Sequence, residues 1–252
     1  MLNATRQSLI YEYIKQHTEV GVADLIKKFQ VADMTIRRDL SKLQDMGLIR
    51  RVHGGAVLVD TSHRESTFTV RSIANLESKR RIAEKAVEFI SEGSSLFIDG
   101  STTCSELAKI LPDGKNLTIF TNSLAFINEM KSEKKLDNLV LLGGELSKDE
   151  NTFDGTFALE LASKIYVDCM FFSCSGFSQN GISNAGLIGT QVKKIILNNS
   201  KKHVLLADSS KYDNQGLYML CKMDEIQVLI TDKGLRHEAH DELSKSVELI
   251  LA

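Results

Sequence analysis

The sequence predicts an α/β protein in two parts: an N-terminal winged helix-turn-helix and a larger C-terminal domain built on a mostly parallel sheet. Three observations predict it. The first 60 residues carry three segments of helical period, then two short runs about a Gly-Gly turn. From residue 79 onward, short apolar runs alternate with helical patterns. The formal charge also changes sign between the two parts.

In the first part, residues 3–17 place Leu9, Ile10, Tyr13 and Ile14 at helical spacing. Val22–Phe29 puts Val22, Leu25, Ile26 and Phe29 on one face, and Gln30-Val31-Ala32 reads as a turn. Asp33–Met46 reads as a third helix with Ile36, Leu40 and Leu43 inward, ended by Gly47. Leu48–Val52 and Ala56–Val59 flank Gly54-Gly55 as a β-hairpin with basic residues near its tip. Helix, helix–turn–helix and hairpin in that order is the winged layout. We expect a domain over 1–59, a second domain over 79–252, and between them a polar linker over 60–78 that partly docks on the second domain.

In that second domain, helices over 79–92, 102–111, 123–131, 155–164, 190–199 and 237–246 alternate with strands over 96–98, 117–120, 139–142, 170–173, 204–207 and 228–231. Residues 247–251 are a candidate edge strand. Apolar strands without alternation, set between helices, mean a parallel sheet covered on both faces.

Hydrophobic residues make up 42% and charged residues 25%, which places the chain among globular proteins. No apolar run approaches 18 residues, and the N-terminus lacks a basic-then-apolar leader, so a cytoplasmic location is expected. Cys104, Cys169, Cys174 and Cys221 form no CxxC pair and lie in or beside apolar segments, as reduced core thiols do. Cys169 and Cys174, five residues apart in an extended segment, are too distant to bridge. His237 and His240 stand at i, i+3 rather than the i, i+4 of HExxH, with no third ligand in view, so no metal or cofactor is expected.

Residues 1–58 hold nine Lys/Arg against six acids, a net +3 on a chain whose total is −2. A basic segment beside an acidic remainder suggests an anionic partner for the first. In the third helix Ile36 and Leu40 face the core while Thr35, Arg37, Arg38 and Lys42 project elsewhere. A DNA-reading helix needs short polar groups near its N-terminus and cations for phosphate, and arginine also bonds guanine bidentately. Arg50, Arg51 and His53 on the hairpin could reach phosphate or the minor groove. The competing reading of Arg37-Arg38 is a solvated basic face of a protein–protein module.

In the second domain, Asp99-Gly100-Ser101-Thr102-Thr103 follows an apolar strand and opens a helix. Hydroxyls and free N–H groups at a helix start suit a phosphate, although Ser or Thr there is more often a plain N-cap. Thr121-Asn122-Ser123, Gly143-Gly144-Glu145 and Asp208-Ser209-Ser210-Lys211 lie at three further strand ends, where parallel α/β sheets bind ligands. Lys211 can supply a point charge for phosphate.

Thr35-Ile36-Arg37-Arg38-Asp39-Leu40, with Leu43, Gly47, Arg51 and His53-Gly54-Gly55-Ala56, resembles the signature of the DeoR family of sugar-metabolism repressors. The strand-end motifs resemble that family's C-terminal domain in order and spacing, so the likeness covers nearly the whole chain. It implies a fold related to ribose-5-phosphate isomerase and CoA-transferase-type domains. It also implies operator DNA and a phosphorylated sugar as partners, in a homo-oligomer. The implied effector residues are Asp99, Gly100, Ser101, Thr102, Thr103, Thr121, Asn122, Gly143, Gly144 and Lys211; Gly176 and Asp208 also match family positions. The family usually has Ser at Ala32 as helix cap, a role Asp33 is then expected to take. An acidic residue is frequent near Gly189-Thr190 and absent here, and Asp154 and Thr156 flank Gly155 where less polar residues are expected.

The competing class is a sugar-phosphate isomerase with an added domain, using Asp99, Glu145 or Asp208 as base. A related fold does not carry the chemistry with it, and a fused winged helix fits a sensor better. The expected mechanism is repression relieved when a sugar phosphate favours an arrangement of the oligomer that mismatches the DNA half-sites.

Overall fold

The computed structural model describes residues 3–59, 67–130, 138–147 and 150–252. They form two compact units, Met1–Glu77 and Ser78–Ala252.

The first unit runs α1 (Asn3–His17), β1 (Glu19–Gly21), α2 (Val22–Phe29), α3 (Asp33–Asp45), β2 (Ile49–Val52), β3 (Gly55–Leu58) and α4 (Phe68–Ile73). Strands β1, β3 and β2 make an antiparallel sheet in that order. The predicted apolar stripes converge on one core, including Ile10, Ile14, Leu25, Ile36, Leu40 and Leu43. Gln30 turns the chain from α2 to α3 with φ 51°. The N-cap of α3 is Ala32, without a side-chain hydrogen bond, so Asp33 does not take the capping role. It lies in the first helical turn, and its carboxylate pairs with Arg37. The polar stretch expected to act as a linker instead contributes α4 to this unit. Val70 and Ile73, at i, i+3, pack on its core, and Ser8 Oγ donates to Ile73 O. Residues 60–66 lie outside the described residues.

The second unit runs α5 (Leu76–Ala86, begun before the boundary), β4 (Ser95–Ile98), α6 (Thr102–Lys109), β5 (Thr118–Thr121), α7 (Leu124–Met130), β6 (Asn138–Leu141), β7 (Glu145–Ser147), β8 (Thr152–Asp154) and α8 (Thr156–Ala162). It continues with β9 (Val167–Phe172), β10 (Gly176–Ser178), β11 (Gly181–Asn184), α9 (Leu187–Asn198), β12 (Ser200–Leu206), β13 (Tyr218–Cys221), β14 (Val228–Thr231), α10 (His237–Leu243) and β15 (Glu248–Leu251). Among the described residues seven strands form one sheet, ordered β15-β14-β12-β9-β4-β5-β6. Every neighbouring pair in it is parallel.

Along each central strand the side chains alternate between two buried layers. Phe97, Met170, Phe172 and Leu205 face one; Leu96, Ile98, Phe171 and Val204 face the other. Burial on both faces is why the strands read as unbroken apolar runs. The strand order reverses at β4 and β9: the chain builds outward through β5 and β6, then returns beside β4. Loops leaving β4 and β9 therefore diverge at their carboxyl ends, the place where doubly wound sheets form a ligand-binding crevice.

Two small structures were not expected from the sequence. Strands β7 and β8 form a hairpin after β6. Strands β10, β11 and β13 form a second antiparallel sheet. Both are built from runs of three or four residues with polar members, too short to show a period.

Candidate functional site

In the first unit, α3 separates its charged motif by helical geometry. Ile36, Asp39, Leu40 and Leu43 are buried, while Arg37, Arg38 and Lys42 are exposed and Thr35 is half-buried. Asp39 is held from α1: Arg6 Nε donates to its Oδ2 at 2.6 Å and Gln7 Nε2 to its Oδ1 at 2.9 Å. The Arg-Arg-Asp-Leu run thus divides between two outward cations and two inward anchors. Arg50, Arg51 and His53 are all exposed on the wing. The Arg51 backbone N–H donates to Gln44 Oε1 at 2.9 Å, fixing the wing against α3. Successive strand residues point to opposite faces, so Arg50 and Arg51 present cations on both sides of the ribbon.

In the second unit, the loop after β4 is organised by Asp99. Its Oδ1 accepts from Ser101 N at 2.9 Å and its Oδ2 from Ser173 N at 3.1 Å. Lys193 Nζ lies 2.7 Å from that same Oδ2 and donates to Ser173 O at 2.8 Å. Asp99 is buried, its side chain only 1% exposed. Burial alone would raise its pKa, but the Lys193 ammonium together with the hydrogen bonds from Ser101 outweighs it and holds the carboxyl below its ordinary value. Burial works against the charge on Lys193 too, and Asp99 more than offsets it, so the lysine titrates above its ordinary value. The pair therefore stays charged and binds the ends of β4 and β9 together from below.

Above this pair, Ser101 caps α6, its Oγ accepting from Cys104 N at 3.2 Å. The N–H groups of Thr102 and Thr103, at the helix start, precede any intrahelical acceptor. Lys211 reaches the same strand end: its Nζ donates to Cys174 O at 2.7 Å and to Ser173 Oγ at 3.2 Å. Two lysine ammoniums thus meet at Ser173-Cys174, on the β9 side of the crevice.

On the β5 side, Thr121 Oγ1 donates to Ile98 O at 2.7 Å, and Ser123 Oγ accepts from Phe126 N at 3.1 Å. Asn122 Nδ2 donates to Asp154 Oδ1 at 3.3 Å, while its buried Oδ1 finds no partner among the described residues. Thr152 Oγ1 donates to Asp154 Oδ2 at 2.8 Å. Burial pushes the Asp154 carboxyl above its ordinary value, against those hydrogen bonds. The polarity of Asp154 beside Gly155 is thereby explained, since Asp154 fastens β8 to the β5 loop. Gly143 and Gly144 are exposed after β6. At Gly144 φ is +142°, and a Cβ would stand 2.2 Å from Asp154 O. Gly100 abuts the same hairpin, a Cβ there lying 2.0 Å from Thr152 Cγ2.

The structure thus brings the predicted β4, β5, β6 and β12 strand-end residues to one edge of the sheet. The sequence reading missed Lys193, Ser173 and Asp154 among the groups there. Of the carboxylates considered as an isomerase base, Asp99 already accepts from Ser101 N, Ser173 N and Lys193. Asp208 caps the 3-10 turn Ser209–Lys211, and Glu145 is exposed on β7 beside Gly155. The four cysteines are buried and unbridged, and burial pushes Cys174 up to about 11 and Cys169 and Cys221 up to about 12. His237 and His240 lie on α10, with His237 Nδ1 3.2 Å from an Asp241 oxygen. Among the described residues no helix is long and apolar enough to cross a membrane.

Comparison with known proteins shows the same division. A model described as the DeoR-like helix-turn-helix domain matches residues 6–62. One described as the DeoR C terminal sensor domain matches residues 74–233. An uncharacterised HTH-type transcriptional regulator of Bacillus subtilis, YulB, is 35% identical over 93% of this chain and 91% of its own length. The L-fucose operon activator of Haemophilus influenzae is 32% identical over 91% of this chain and 92% of its own. The transcriptional repressor GlcR of Bacillus subtilis is 31% identical over 100% and 97%. Among solved structures, ribose 5-phosphate isomerase A of Methanocaldococcus jannaschii aligns over 55% of each chain at a TM-score of 0.39 and 18% identity.

Proposed function

The chain belongs to the DeoR family of transcription regulators, and we propose that a phosphorylated sugar binds the crevice at the ends of β4 and β9 and thereby weakens its hold on DNA. The observation that carries the effector reading is the meeting of Lys193 and Lys211 at Ser173-Cys174, beside the capped start of α6. Asp99 neutralises much of one ammonium. Lys211, which donates to the neutral oxygens of Ser173 and Cys174, is left as the cation for a phosphate. The backbone N–H groups of Gly100, Thr102 and Thr103 supply donors, Ser101 N being held by Asp99, and the helix dipole favours the anion. Asp99 acts here as a positioning group beneath the loop. On the β5 side, Asn122 Oδ1 is an acceptor that a sugar hydroxyl would satisfy, with Thr121 shaping the loop, Gly144 admitting the close approach of β8, and Gly143 leaving room for the ring.

Thr35, Arg37, Arg38 and Lys42 are our proposed groove and phosphate contacts, with Arg50, Arg51 and His53 on the wing. Two copies would place two α3 helices on repeated or inverted half-sites, so we assign a homo-oligomer working in the cytoplasm. The proposed sign is repression of a carbohydrate operon, relieved by the effector. It is the sign in the name of the Bacillus relative GlcR and opposite to that of the Haemophilus activator.

Calorimetric titration of the full chain with pentose and hexose monophosphates, their unphosphorylated parents and inorganic phosphate tests the effector site. One sugar phosphate should bind, and its parent sugar should not. Binding of parent and phosphate alike, or of none, would remove the phosphate reading.

A further inference from the structure

The outward face of α3 carries one residue that cation-to-phosphate logic does not explain. Met34 is 75% exposed. It is the second residue of the helix, and at 3.6 residues per turn Met34, Arg38 and Ser41 share a line (i, i+4, i+7) opposite the buried Ile36, Asp39, Leu40 and Leu43. Arg37 and Lys42 flank that line. A large apolar side chain therefore stands at the leading end of an otherwise polar, cationic stripe. It belongs to none of the apolar clusters.

Residues at the start of a recognition helix meet base edges rather than phosphates. Among the groups displayed in the major groove the apolar one is the thymine C5 methyl, and apolar side chains contact it. Methionine is unbranched and polarisable, with three rotatable bonds, so it can settle on a methyl without tight steric demands. Its neighbour Asp33 holds Arg37 along the helix flank, with Arg37 Nη2 3.3 Å from Asp33 Oδ2. That arrangement leaves Met34 and Arg38 as the pair at the centre of the face. We propose that Met34 reads a thymine methyl group in the operator, adjacent to the base pair approached by Arg38. The inference rests on the reading that α3 enters the major groove, and it assigns Met34 a specificity role within it.

The test uses the full chain and DNA it enriches from a random duplex pool. Each thymine of the enriched site is replaced singly by deoxyuracil, which removes only the methyl, and affinity is read by fluorescence anisotropy at fixed salt. One or two positions per half-site should lose about fourfold, the worth of one buried methylene-sized group. Met34→Ala should bind the thymine and uracil duplexes equally, at the level of wild type on uracil, and Met34→Leu should keep the discrimination. Because Met34 is exposed, neither variant threatens the fold. Indifference of the wild type to uracil at every position overturns the inference, as does a uracil loss that persists in Met34→Ala. Arg38→Ala on the same DNA separates the two levels. If it weakens binding while uracil does nothing, α3 is in the groove and Met34 is not a reader. If no sequence is enriched, or neither change matters, the groove reading and the Met34 role fall together.

Discussion

Lys193→Met removes one ammonium and keeps nearly the same volume in α9. It leaves Asp99 as a buried carboxylate with only Ser101 N and Ser173 N as donors. Breaking a buried pair by removing one partner costs about 3–5 kcal/mol. The two surviving backbone donors put the expected cost near the lower end, about 3 kcal/mol. For a unit of this size that is a fall of roughly 6–12 °C in the calorimetric transition of Ser78–Ala252. The pH dependence follows from the same pair. In the wild type the Asp99 pKa lies below its ordinary 3.8, so its stabilisation is present above that value and is lost as pH falls through the lowered one. Lys193 titrates above its ordinary 10.5, so its contribution is present below that value and disappears as pH rises through the raised one. In Lys193→Met burial is opposed only by the hydrogen bonds to Asp99 from Ser101 and Ser173, so the carboxyl pKa rises relative to wild type. The variant should therefore regain stability on acidification, and its deficit should be widest near neutral pH. Asp99→Asn combined with Lys193→Met removes the buried charge but sets the amide Nδ2 against one of those two backbone donors, so it should recover only a part of the loss. A deficit under about 1 kcal/mol at pH 7, within the range of ordinary surface pairs, would refute the reasoning.

Three further outcomes are expected. Arg6→Met should destabilise the winged helix by about 3 kcal/mol, since of the side chains Arg6 and Gln7 that hold Asp39 only Gln7 remains; scanning calorimetry of the N-terminal transition reads it, and no shift would make the pair ornamental. Gly144→Ala should cost about 1–3 kcal/mol in the C-terminal transition, because φ is +142° and a Cβ would stand 2.2 Å from Asp154 O; an unchanged transition would contradict the close approach. Lys211→Ala should lower sugar-phosphate affinity by at least about tenfold, the scale of one charge-assisted hydrogen bond, while DNA affinity without effector stays at the wild-type level; equal calorimetric affinity would take Lys211 out of the site.

The elements with a clear period were legible from the residues: α1 to α3, the wing, and the apolar strands of the parallel sheet. Their burial on two faces is what made them unbroken apolar runs. The crevice was legible only as a set of strand ends, because sequence shows that strands are parallel but not which are neighbours. Placing β9 beside β4 brings Lys193 to Asp99, 94 positions apart, and no spacing rule reports that. A fainter signal was available. Lys193 precedes the buried Ile196 and Leu197 by three and four residues, and Arg6 precedes the buried Ile10 by four. A basic residue on the core side of an amphipathic helix needs a buried acid, and Asp99 and Asp39 answer that need. Asp33 shows the reverse case. Its type and place suited a cap, but Arg37 four residues on was the stronger partner for its carboxylate. The short strands β7, β8, β10, β11 and β13 form through tertiary pairing, with too few residues to declare themselves.

The central claim is that one chain couples a phosphate-reading crevice to DNA release. Anisotropy of labelled DNA from upstream of the gene, titrated with the full chain in the absence and presence of each sugar phosphate, tests it most directly. The account predicts a salt-sensitive, sequence-selective complex whose affinity one sugar phosphate lowers by five- to roughly a hundredfold, the ordinary range of allosteric coupling. Lys211→Ala should abolish that response and leave the effector-free complex intact. A selective complex that no sugar phosphate alters, or an effect that survives unchanged in Lys211→Ala, would contradict it.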